Sequence, residues 1–117
     1  VILPSDRREY EWPVPEGDWE NRYYRVIDYA WLHLQFHMDI CYMHLYVVRW
    51  GADVVRLMRK DFEDLVWLVR SHGGKRIVGM VGDRDRKWGR FVTLMGFPEP
   101  RPVEIESKLQ YVTMMEV

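Results

Sequence analysis

Residues 40–74, ICYMHLYVVRWGADVVRLMRKDFEDLVWLVRSHGG, carry the reading that decides the fold class. Ile40 to Arg49 is dense in Ile, Tyr, Leu and Val, side chains that suit a pleated, buried strand. Trp50-Gly51-Ala52-Asp53 then punctuates the chain. From Val54 onward Val54, Met58, Phe62, Leu65 and Val69 recur at spacings of three and four, which places them on one face of a helix. Arg56, Arg59, Lys60, Glu63 and Asp64 fall largely elsewhere. Asp53 is the expected N-cap, and Gly73-Gly74 the expected stop.

Downstream, Lys75 to Gly82 holds Ile77, Val78, Met80 and Val81, a short run of strand type. A second helix is expected to start near Asp83 or Asp85 and to bury Trp88, Phe91, Val92 and Met95 before it ends at Gly96. Pro98, Pro100 and Pro102 form a stiff connection. Val103 to Glu106 and Leu109 to Val117 then read as two antiparallel strands. Alternation of strand and helix in the middle implies a parallel pair joined by a right-handed crossover. The expected class is α/β (α+β), a mixed sheet with a central parallel pair and two main helices.

Upstream, Trp31, His33, Gln35, His37 and Asp39 alternate with Leu32, Leu34, Phe36 and Met38, a period-2 signal for strand. A helix over Tyr23 to Met38 stays open, because aromatic runs satisfy either period. Residues 1–22 read as an arm: Pro4, Pro13 and Pro15 break regular structure, and Glu16-Gly17-Asp18 is turn chemistry. Trp12 and Trp19 would clip this arm onto the domain or onto a protein partner. The organisation expected is an arm, 1–22, followed by a single domain, 23–117.

Composition narrows the function classes. With 17 basic and 18 acidic side chains the formal net charge is −1, so no global field draws nucleic acid or an anionic membrane. Six Trp and seven Tyr exclude a disordered composition. The single cysteine, Cys41, excludes an internal disulfide, argues against a Cys-based metal site and reads as a buried thiol. No run approaches the roughly 20 apolar residues of a membrane span. A reducing, cytoplasmic setting is the expectation.

The order of elements from Tyr42 to Val117 resembles the GNAT acyltransferases. Those proteins run a long strand, a phosphate-binding turn, a helix, a strand, a helix ending in Gly-Phe, and two final strands. Here Ile40 to Arg49, Trp50 to Asp53, Val54 to His72, Arg76 to Gly82, Asp85 to Met95 and Gly96-Phe97 occupy those places. The segment from Asp85 to Phe97 is similar to the family's Asn-x-x-Ala-x-x-x-Tyr-x-x-Leu-Gly-Phe. The resemblance implies acetyl-CoA as cofactor, with its pyrophosphate on the backbone around Gly51 and Ala52, Arg49 and Arg56 nearby, Val47 and Val48 facing the pantetheine, and Asp85 in the family's asparagine place. It also exposes departures. The turn has one glycine, Asp53 puts a carboxylate where a pyrophosphate should sit, and Val92 stands where the family has a proton-donating tyrosine.

For a general base the strand before the turn offers His37, Asp39 and His44, His having a pKa suited to work near neutrality. His33 and His37 on one strand would lie roughly 13 Å apart, too far to share a metal. Gly79 and Gly82 do not fit a dinucleotide fingerprint, and no serine sits in a nucleophile elbow. Two functions follow. One is transfer of an acetyl group from acetyl-CoA to an amine, possible acceptors including a protein lysine. The other is a binding or structural scaffold without catalysis, anchored by Trp12 and Trp19, as in the compact forms of the family that occur in phage genomes.

Overall fold

The structure is a computed structural model and describes residues 1–6, 19–81 and 86–117. Strands β1 (Ile2–Pro4), β2 (Glu20–Val26), β3 (Ala30–His37) and β4 (Ile40–Val47) precede helix α1 (Ala52–Ser71). Strand β5 (Arg76–Val81), helix α2 (Arg86–Leu94) and strands β6 (Arg101–Ile105) and β7 (Lys108–Glu116) follow. The seven strands form one sheet in the order β1-β2-β3-β4-β5-β7-β6. Only β4 and β5 run parallel; every other neighbouring pair is antiparallel. The expected mixed sheet with a central parallel pair and two helices is the architecture found.

Alternation along the strands sorts the two faces. Leu32, Leu34 and Phe36 of β3 are buried on one side with Cys41 and Met43 of β4 and Ile77 of β5. Val54, Met58, Leu65 and Val69 of α1 and Phe91 and Val92 of α2 complete that core. Both helices therefore cover the same face, and Phe62 meets Phe97 edge to face at 5.7 Å. The thiol of Cys41, with no exposed surface, is pushed up to about 12 by burial. Among the described residues no helix is long and apolar enough to cross a membrane.

Several local expectations are corrected. In place of the helical alternative over residues 23–38 stand the end of β2, a turn at 27–29 and strand β3, because pairing of β3 with both neighbours outweighs the ambiguous local pattern. Helix α1 starts at Ala52, so its N-cap is Gly51 and not Asp53, and no side chain caps it. Asp53 sits inside the first turn, drawn there by Arg49 four residues earlier, with 3.0 Å between the charged groups. The boundary expected after residue 22 falls inside β2, and Ile2–Pro4 pairs antiparallel with Tyr24–Val26 as an edge strand. Trp19 packs on the domain, stacked with His37 and Tyr42. Trp12, Asp83 and Asp85 lie outside the described residues.

Candidate active site

Strands β4 and β5 pair over four positions only, from Ile40 with Arg76 to Met43 with Gly79. Beyond Met43, β4 continues to Val47 paired with β3 alone, and β5 continues to Val81 paired with β7 alone. The two strands part there, and among the described residues the β5-side edge of β4 has no strand partner from His44 onward. Trp88 packs at the point of parting: a Cβ on Gly79 would come within 3.3 Å of its ring and 3.9 Å of the Met43 methyl. The opening faces the carboxyl ends of the parallel strands, where α/β folds present ligand sites.

A pocket of about 290 Å³ lies between the first half of α1 and α2. Trp50, Val55, Met58, Lys87, Arg90 and Leu94 are among its walls. The Lys87 ammonium lies 5.8 Å from the centroid of the Trp50 ring, within cation–π range. An apolar floor with two cations at its rim suits a ligand that joins an apolar arm to anionic groups.

The turn into α1 is held tightly. The N–H groups of Val48 and Arg49 both donate to the Tyr29 carbonyl, at 2.8 and 3.3 Å. The Arg49 side chain donates to the Asp28 carbonyl and to Asp53. The hydrogen bond from Arg49, helped by backbone N–H groups of the helix start, holds the Asp53 carboxyl below its usual range. A carboxylate of the chain thus occupies the anion-favouring end of the helix.

The sheet face turned away from the helices carries a polar chain across three strands. The Asn21 amide nitrogen donates to the Trp19 carbonyl at 2.9 Å. Its oxygen meets Gln35 Nε2 at 3.1 Å and His33 Nε2 at 2.8 Å. Gln35 Oε1 meets His44 Nε2 at 2.6 Å. His33 and Gln35 are buried, and burial lowers the His44 imidazole from its ordinary pKa, which favours the neutral ring.

The structure scatters some of the residues singled out by sequence and gathers others. His44 is the first β4 residue past the last β4–β5 pair, and its cross-strand partner is His33. His37 is exposed at the end of β3, where it stacks on Trp19, and Asp39 lies in the turn whose carbonyl accepts from the Lys75 and Arg76 amides. Both sit at the closed end of the parallel pair, away from the opening. Val47 packs against the core, Val48 is exposed, and Gly51 and Ala52 form the exposed start of α1. Arg56 is exposed on α1 and does not line the pocket. Val92 is fully buried.

Sequence reasoning missed Trp50, Lys87 and Arg90 of the pocket and Asn21, His33 and Gln35 of the polar chain. The three-residue spacing of Lys87 and Arg90 on a helix put both on one face and was a usable signal. Asn21 and Gln35 had none, since strand register alone brings them together.

No family model matches the sequence, and no curated protein matches it. Solved structures do. Aminoglycoside 6'-acetyltransferase type Ii superimposes with a TM-score of 0.65 at 16% identity, over 83% of this chain and 69% of that one. The aminoglycoside acetyltransferase AAC(6')-Ib, solved with coenzyme A, gives 0.62 at 9% identity, over 82% of this chain and 65% of that one. The ribosomal-protein-S18-alanine N-acetyltransferase from Escherichia coli gives 0.63 at 12% identity, over 100% and 93%. At such identities the likeness is one of fold, and it joins the parted strands and the paired helices into one conclusion: this chain has the fold of the GNAT acetyltransferases.

Proposed function

We propose that the protein moves an acetyl group from acetyl-CoA to an amine, with His44 as general base. The observation that carries this reading is the coincidence of His44 with the parting of β4 from β5. Acetyl-CoA fits the residues present in two respects and meets resistance in one. The unpaired β4 edge and the apolar pocket suit the pantetheine arm, and Lys87 and Arg90 suit phosphates. Asp53 opposes a pyrophosphate at the helix start. Arg49 is the group that would leave Asp53 to pair with it.

When bound, acetyl-CoA supplies an activated acetyl thioester. The acceptor amine attacks its carbonyl, so that a C–N bond forms, the C–S bond breaks and the leaving thiolate takes a proton from solvent. His44 takes the proton that the amine gives up. A neutral imidazole at pH 7 is suited to this task, and burial keeps His44 neutral. The acceptor reaches the opening from the face opposite α1 and α2, where His44, Tyr42 and Tyr46 lie on alternate positions of β4. The acceptor class is an amine, a protein lysine or N-terminus being one form of it.

Calorimetric titration with CoA and acetyl-CoA tests the reading. Micromolar binding that falls at least about tenfold in Trp50→Ala and in Lys87→Glu is expected. Absence of binding at millimolar cofactor sinks it.

Two observations favour a second reading, in which the fold serves as a scaffold without catalysis. Asp53 fills the anion position, and the buried Val92 has no proton to give. The same titration separates the two.

A further inference from the structure

We propose that Asn21 is a positioning residue that, through Gln35, fixes the ring tautomer of His44 so that Nδ1 carries the lone pair. This rests on the reading of His44 as base, and it names which atom of the ring accepts the proton.

The argument starts from a group whose polarity cannot change. The Trp19 carbonyl is an acceptor only, and it meets the Asn21 side chain at 2.9 Å. Asn21 must therefore present Nδ2 to Trp19 and turn Oδ1 inward. That oxygen can only accept, so both groups facing it donate: Gln35 Nε2 and His33 Nε2–H. With its nitrogen committed to Asn21, Gln35 turns Oε1 toward His44 at 2.6 Å. An amide oxygen requires a donor there, so His44 carries its proton on Nε2. In the neutral ring one nitrogen bears the proton and the other the lone pair. Nδ1 is thus the basic atom, and among the described residues no hydrogen-bond partner meets it.

The direction of the whole chain is set by main-chain geometry two residues before Asn21. Reversing it would put two amide oxygens, or an oxygen and a carbonyl, face to face inside a partly buried site, which costs the hydrogen bonds and adds repulsion. Stacking of His33 on His44, with centroids 5.1 Å apart, holds the ring plane while the amide sets its proton.

The test is nitrogen-15 NMR of the full chain labelled at histidine, reading the two ring nitrogens of His44 at pH 7.5. The expected wild-type pattern is protonated Nε2 and bare Nδ1. Asn21→Ala frees Gln35 to rotate, and the single-tautomer pattern is then lost to a mixture. Gln35→Met, which removes the acceptor itself, gives the same loss where Asn21→Ala does not fold. A wild-type His44 protonated on Nδ1 overturns the proposal, as does a His44 spectrum unchanged in the variants. Titration of the same wild-type sample with acetyl-CoA keeps the two claims apart. The expected tautomer without cofactor binding upholds the relay and removes the acetyl-transfer reading.

Discussion

His33 and His44 face each other directly across β3 and β4, their rings stacked at 5.1 Å and 26° between planes. Each is tied by Nε2 to a different side-chain amide, His33 to Asn21 and His44 to Gln35. Two imidazoles so close cannot both charge without repulsion, and burial already disfavours charge on His44.

Stability should therefore fall on acidification. His44 has a folded pKa below its ordinary 6.5, so between those values the unfolded chain binds a proton that the folded chain refuses. The contribution is complete above pH 6.5, is lost as pH drops below it, and levels off under the folded value. Urea midpoints at pH 7.5 and pH 5.5 measure the effect, which His44→Gln should reduce. An identical fall in that variant assigns it to other groups.

Asp53 competes with any anion for Arg49 and for the start of α1. Asp53→Asn should tighten CoA binding about three- to tenfold at low salt, with the gain shrinking as salt is added. Titration at two ionic strengths reads both parts. Weaker binding in Asp53→Asn would show that the carboxylate helps to shape the turn.

The end of α1 offers a contrast between adjacent glycines. A Cβ on Gly74 would lie 2.5 Å from Val69 Cγ1 and 3.0 Å from the Val69 carbonyl, so Gly74→Ala should cost about 2–3 kcal/mol. Gly73 has open space but a φ of 84°, so Gly73→Ala should cost about 1 kcal/mol. Chemical denaturation of the two variants orders them.

Trp19 stacks on His37 at 5.2 Å and on Tyr42 at 4.9 Å. Trp19→Ala should cost about 2 kcal/mol through the lost ring contacts. Its carbonyl survives the change, so the His44 tautomer should stay as in the wild type. Thermal melts and the histidine spectrum together check this.

Periodicity was enough to mark both helices, the parallel pair and the closing hairpin, because buried faces repeat at 3.6 or 2 residues whatever the partner. Helix α1 announced itself through Val54, Met58, Leu65 and Val69, all of which proved buried. Chemistry at the opening was less visible. Gly51 does lie in the turn, but the cap that local pattern puts at Asp53 belongs to Gly51. His44 was one of three equal candidates until register set it at the parting of the strands.

The order of elements from β3 onward, the class of fold and the position of the turn were thus determined by the sequence alone, since each follows from local spacing of apolar side chains and breakers, whereas strand β1 inside the expected arm was not. Tertiary structure alone decided where β4 and β5 separate, that His44 pairs with His33, and that Asn21 reaches Gln35. Those relations depend on register between strands distant along the chain, and a shift of one residue would send every side chain to the opposite face.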